Sequence, residues 1–209
     1  EAYWRRSGRA NALYASEAYR IERIGNGMRV TAPAGRILSR GDTLNMPVIT
    51  VEFRAVAEDV IFVRAWHYEG YDRREPRFEK EESSCAAEFW EGEDEAVLTA
   101  GRLSVSVNKR EWGYSFRTQD GPLTSCGFRN LGYIRWDKKP SSMLPGDEYM
   151  RELEYEPYMV NELSLSPGEN VYGLGERFTA FVKNGQSVDI WNEDGGTASQ
   201  VAYKNIPFY

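Results

Sequence analysis

Apolar residues return at every second position along most of this chain, and that period decides what it can become. In ITVEFRAV, Ile49, Val51, Phe53 and Ala55 alternate with Thr50, Glu52 and Arg54. RLSVSVNK sets Leu103, Val105 and Val107 against Ser104 and Ser106, and NELSLS alternates Leu163 and Leu165 with polar neighbours. Successive side chains of a strand point to opposite faces, so the pattern predicts strands with one buried face. VIFVRAWHYEG, residues 60–70, carries apolar or aromatic groups on both faces, as an inner strand would. Turn formers in AEDV, NKREWG, QDGP and SPGEN separate the runs. No stretch sustains a 3.6-residue apolar stripe over three turns; YASEAYRIERI, residues 14–24, is the best helix candidate. The expectation is an all-β fold, an antiparallel β-sandwich.

A chain of 209 residues is long enough to bury roughly 70% of the surface its unfolded form exposes. Aromatic residues make up 13% of it, with 6 Trp and 13 Tyr. Such side chains suit half-buried sheet surfaces and also stack on ligands. The net charge of −6 and the lack of a basic patch argue against nucleic acid as a partner. No apolar run approaches the ~18 residues of a membrane span. The two cysteines, Cys85 and Cys126, match no metal or redox spacing and read as reduced thiols, which points to a cytoplasmic location. The opening EAYWRRSGRA has no initiator Met and no apolar core of a secretory signal. It reads as a chain cut from a longer one, or one whose leader has been removed.

Few constellations carry chemistry. A single histidine, His67, excludes a two-His metal site and suits a structural imidazole between Trp66 and Tyr68. No cofactor is implied. GLGERF at 173–178 lacks the third glycine and the Lys-Ser/Thr ending of a phosphate loop. Gly173, Gly175, Glu176 and Arg177 read as structural, the last two as an ion pair. The acidic clusters EKEE at 79–82 and EGEDE at 91–95 read as solvated loops. YDRREPRFEKEESSC, residues 71–85, reads as a long charged surface loop. Glu176, Asp189, Glu193 and Asp194 are carboxylates close in sequence, but glycoside hydrolysis needs two carboxyl groups at defined separations that sequence cannot place. WNEDGG combines a Trp, an amide and two acids before a Gly-Gly turn. That is either a solvated loop or a sugar-contacting one, with a stacking face and acceptors for hydroxyls.

NVYGLGERFTAFVKNGQSVDIWNEDGGTASQVAYKNIPFY, residues 170–209, closely resembles a signature in the N-terminal domain of glycoside hydrolase family 31, most of all its α-xylosidases. GRILSRGDTLNMPVITVEFRAVAEDVIFVRAWHYEG, residues 35–70, resembles the first strands of the same domain, and residues 101–121 do so more weakly. The resemblance implies a galactose-mutarotase-like β-sandwich over residues 31–209, incomplete at its C-terminus. Residues 1–30 form an N-terminal extension with no assigned role. It also implies a following (β/α)8 barrel of the same polypeptide, in which one aspartate is nucleophile and a second is acid/base, with retention of configuration. Neither barrel motif nor a repeating strand–helix pattern occurs here, so this stretch alone is expected to be inactive.

In that family a loop of the N-terminal domain reaches the barrel mouth. Asp194 matches the family's substrate-contacting acid and would accept hydrogen bonds from sugar hydroxyls; Trp191 would stack on the sugar or pack beneath the loop. The substrate class implied is an α-xyloside or α-glucoside. The acid at Glu193, where some relatives carry a basic residue, bears on leaving-group preference. Two other readings stand beside this one. A free-standing carbohydrate-binding module would hold oligosaccharides alone. An aldose mutarotase would need histidines that a chain with only His67 does not supply. Without the barrel, an unpaired sheet edge would promote self-association into homo-oligomers.

Overall fold

A computed structural model describes residues 8–68, 85–137, 155–194 and 201–209. The charged stretch 71–84, including EKEE, lies outside the described residues. The chain divides into two units, residues 4–164 and residues 165–209.

The described residues of unit 4–164 form twelve strands: β1 (Ala10–Tyr14), β2 (Arg20–Ile24), β3 (Gly27–Pro33), β4 (Val48–Ala57), β5 (Val60–Trp66), β6 (Ala87–Glu91), β7 (Glu95–Ala100), β8 (Leu103–Asn108), β9 (Tyr114–Thr118), β10 (Gly121–Cys126), β11 (Leu131–Asp137) and β12 (Tyr155–Asn161). The only helical turn among the described residues is a 3-10 turn at Asp42–Leu44. The strands form three antiparallel sheets, ordered β2-β3-β4-β5, β10-β9-β8-β7-β6 and β1-β11-β12. The first two pack face to face, with β3, β4 and β5 against β6, β7 and β8. This is the sandwich expected from the period-two pattern.

The alternation read from sequence is the core. Ile49, Val51 and Phe53 of β4 are fully buried, as are Val105 and Val107 of β8. They meet Met28, Val30 and Ala32 of β3 and Ala96 and Leu98 of β7 in one cluster. Phe53 packs edge-on against Tyr114 of β9 at 5.1 Å between ring centroids. Full burial of a side chain such as Phe53 stabilises by ~1.5–3 kcal/mol relative to leaving it exposed. The two sheets are also clasped at one end. Asp59, in the β4–β5 turn, accepts hydrogen bonds from the backbone N–H and guanidinium of Arg102 in the β7–β8 turn. These bonds hold its carboxyl below the ordinary carboxylate range.

Three local expectations are corrected. Residues 14–24 form no helix: Arg20–Ile24 is a strand paired with β3, Ile21 opposite Val30. A two-residue Gly25–Asn26 turn closes the hairpin, with Gly25 at φ +49°. Cross-strand burial and a glycine-containing tight turn outweigh weak helical propensity there. Leu163 and Leu165 of NELSLS are exposed and lie in no strand. The chain there is held by Ser164, whose N–H bonds the Ser125 carbonyl and whose Oγ accepts from the Ser125 N–H. Finally, β5 is an end strand of its sheet among the described residues rather than an inner one. Its outward aromatics are covered instead by cations, Arg54 over Phe62 at 4.7 Å and Arg64 over Trp66 at 4.9 Å.

His67 follows β5, its Nδ1 3.3 Å from the Val48 carbonyl and its ring 4.4 Å from that of Tyr133. It is a packed, hydrogen-bonded imidazole. EGEDE spans the β6–β7 turn, exposed at Glu93 and Asp94, yet Lys109 reaches Glu91 and Arg110 reaches Asp94 to hold it. Residues 10–24, to which sequence assigned no role, supply β1 and β2.

Candidate substrate-pocket loop

Residues 165–209 answer to different rules. Among those described there is no strand ladder, only one isolated bridge between Asn192 and Ala202. Backbone groups must then find partners elsewhere, and side chains supply them. Gly173, Leu174 and Gly175 all take positive φ, +87°, +67° and +88°. That conformation lets Leu174 N–H reach the Phe208 carbonyl at 2.8 Å and Glu176 N–H reach the Lys204 carbonyl at 3.0 Å. A Cβ on either glycine would strike those same carbonyls. The glycines therefore serve close approach of two chain segments, as sequence suggested.

Arg177 is a clamp. Its Nε donates to the Leu174 carbonyl at 3.0 Å and its Nη2 to the Asp189 carbonyl at 2.6 Å and to Asn205 Oδ1. Glu176 is met instead by Lys204, at 3.6 Å. Asn205 continues the clamp: its amide donates to the Trp191 and Ala202 carbonyls at 2.6 and 2.9 Å, and its N–H to Asn192 Oδ1 at 2.9 Å. Sequence reasoning missed Asn205, because an asparagine among YKNIPFY carries no local signal of its distant partners. Lys183, buried, donates to Thr179 Oγ1 and the Ala180 carbonyl. Gln186 donates to the Ala180 and Val182 carbonyls.

These anchors shape a cavity of about 440 Å³ lined by Arg177, Thr179, Gln186, Asp189, Trp191 and Glu193, among others. Trp191 is 74% exposed, so its ring is presented rather than packed away. Asp194, which follows the lining residue Glu193 in sequence, is exposed. Its carboxylate accepts a hydrogen bond from the Tyr203 hydroxyl, which raises the Tyr203 pKa. The structure thus brings Trp191, Asp189 and Glu193 to one cavity, whereas Asp194 is not among its lining residues and meets Tyr203. No group of three or more His, Cys, Asp or Glu among the described residues is arranged to hold a metal ion. No helix among them is long and apolar enough to cross a membrane.

The architecture is an antiparallel β-sandwich followed in sequence by a stretch whose backbone is held largely by side chains. Residues 50–209 match the glycosyl hydrolase 31 N-terminal galactose mutarotase-like domain, and the chain belongs to that family. It is 41% identical over 179 residues to an alpha-xylosidase of Emericella nidulans, covering 81% of this chain and 23% of that protein. It is 34% identical over 207 residues to alpha-xylosidase XylQ of Lactiplantibacillus pentosus, covering 99% of this chain and 25% of the relative. The chain thus spans about a quarter of the length of these relatives. Among solved structures it resembles a GH31 dextranase of Flavobacterium johnsoniae, with a TM-score of 0.59, 18% identity and coverage of 95% of this chain and 21% of that one. A cycloalternan-forming enzyme from Listeria monocytogenes gives a TM-score of 0.64 at 13% identity, over 95% of this chain and 16% of the other.

Proposed function

We propose that this chain is the N-terminal module of a retaining α-xylosidase, and that residues 165–209 supply one wall of its sugar pocket. The observation that carries the reading is the convergence of Trp191, Asp189 and Glu193 on one cavity, with Asp194 the next residue in sequence. The names of the two curated relatives support α-xylosidic bonds as the target rather than α-glucosidic ones. In this reading Asp194 accepts hydrogen bonds from hydroxyls of the sugar on the non-reducing side of the scissile bond. Trp191 offers its face to the sugar ring, and Arg177 and Asn205 keep both in place. The carboxyl groups that break the bond belong to the barrel that would follow in the same polypeptide. Both cysteines are free, which supports a reducing compartment.

A pre-positioned acceptor contributes most once the rest of the site is organised around the same substrate. Charge-assisted hydrogen bonds of this kind contribute ~1.5–3 kcal/mol each when desolvated. Replacing Asp194 by Asn in the full-length protein should therefore lower kcat/KM for an aryl α-xyloside roughly 10- to 150-fold, with circular dichroism and melting temperature unchanged. Residues 1–209 alone should release no sugar. Turnover by those residues alone, or an Asp194→Asn enzyme with undiminished kcat/KM, would refute the reading. The ratio of α-xyloside to α-glucoside hydrolysis by the full-length protein decides the sugar.

A further inference from the structure

Unit 4–164 holds a second cavity, which the proposed pocket does not use. It is a cleft of about 1110 Å³ beside the β6–β7 and β8–β9 turns. Two aromatic side chains on its lining are open to solvent, Trp90 at 57% and Phe128 at 81% exposure. Trp90 is not loose. Its indole lies across Gly92, so closely that a Cβ at position 92 would collide with three ring atoms. Gly92 is itself fixed, its N–H bonded to the Glu95 carbonyl at 2.9 Å and its carbonyl to Lys109 Nζ at 3.0 Å. An exposed ring held flat by a glycine is a prepared stacking face.

The floor points the same way. Trp112 is 4% exposed, and its indole N–H is buried. The group beside the indole N–H is the Cys126 thiol, a weak acceptor. Around it stand Ser106, Asn108, Ser115 and Ser125, with carboxylates at the Glu93–Glu95 turn. The cation at this turn is already engaged: Arg110 meets Asp94 at 2.5 Å. Glu95 accepts from the Ser106 hydroxyl. A cleft with acidic groups, tethered cations, hydroxyls and an aromatic face disfavours anions. It suits a neutral, hydroxyl-rich guest with apolar ring faces.

We propose that this cleft is a second carbohydrate-binding site, which holds a neutral oligosaccharide by stacking on Trp90 and by hydrogen bonding to the serine and carboxylate groups around Trp112. It would tether a long substrate without taking part in bond cleavage. The proposal does not depend on the pocket at residues 165–209.

The test is isothermal titration of the full-length protein with isomaltotriose, maltotriose and xylotriose, with the catalytic pocket weakened by Asp194→Asn. Binding of at least one trisaccharide should persist in that variant. Adding Trp90→Ala should weaken it tenfold or more, and Phe128→Ala, at a solvent-exposed position that folding does not require, should weaken it to a smaller degree. In the otherwise native enzyme, Trp90→Ala should leave kcat/KM for a small aryl glycoside unchanged while raising KM for a polymeric substrate. Unaltered affinity in both cleft variants would overturn the proposal. So would a response to tetramethylammonium with none to sugar. Failure of acrylamide to quench Trp90 fluorescence in the full-length protein would also overturn it, since another segment of the polypeptide would then occupy the cleft.

Discussion

Gly175 shows how much one position can decide in the loop unit. Its φ of +88° and the Lys204 carbonyl at its α-carbon leave no room for a side chain. An L-residue forced into such a conformation costs of order 1–3 kcal/mol. Gly175→Ala should therefore loosen the contact between residues 173–176 and 204–208. The readout is amide exchange: the Glu176 N–H, bonded to the Lys204 carbonyl, should exchange ten- to a hundredfold faster. Unchanged exchange there would show that the glycine is dispensable. At this scale sequence was informative about backbone and poor about partners. The glycines of GLGERF announced a special backbone, and they have one. Arg177 was expected to pair with its neighbour Glu176, yet its guanidinium serves the Asp189 carbonyl twelve residues away and Asn205. Trp191 and Asp194 were singled out for their types, and the fold places the first at a cavity and the second on Tyr203.

Elements were legible where burial is one-sided. β4 and β8 alternate apolar and polar residues because one face meets the opposite sheet, although Glu52 and Ser106 of the second face are buried as well. Phe53 is the point where this packing concentrates, being fully buried on β4 and edge-on to Tyr114. Phe53→Ala should cost ~3–5 kcal/mol, the transfer term plus the cavity left behind. Chemical denaturation should show a lower midpoint with an unchanged slope. A loss below 1 kcal/mol would mean that the sheets close over the gap. β2 was less legible. RIERI has a helix-compatible spread of charge, and its strand state rests on pairing with GMRVTAP across Gly25–Asn26. NELSLS failed in the opposite direction. Its alternation is real, but no neighbouring sheet covers Leu163 and Leu165, so the pattern had nothing to bury against.

The whole molecule adds a pH dependence that no single element carries. Burial pushes the Cys126 thiol up to about 11 from its ordinary 9.0. In the unfolded chain that thiol loses its proton near pH 9, whereas the folded protein keeps it neutral. The stabilisation is present in full below pH 9 and is lost as pH rises through the interval from 9 to about 11. Melting temperature should fall across that interval. Tyr133, also raised by burial, acts in the same direction, so Cys126→Ala should flatten the fall without abolishing it. A Cys126→Ala variant with an unaltered alkaline profile would show that the thiol's burial has no energetic consequence. Below pH 9 the same thiol should resist modification that the less buried Cys85 accepts.

The sequence by itself determined the class of fold and its family. Two-residue periodicity is written in neighbouring positions, and a forty-residue motif is written in order. What only the tertiary structure decided concerns pairs far apart in the chain. β1 pairs with β11 across more than a hundred residues, and Arg177 meets Asn205 across twenty-eight. Trp90 lies on Gly92 in a cleft whose floor comes from Trp112 and Cys126. Local propensity acts over a few residues, whereas a cavity is closed by contacts whose sequence separation no local pattern encodes.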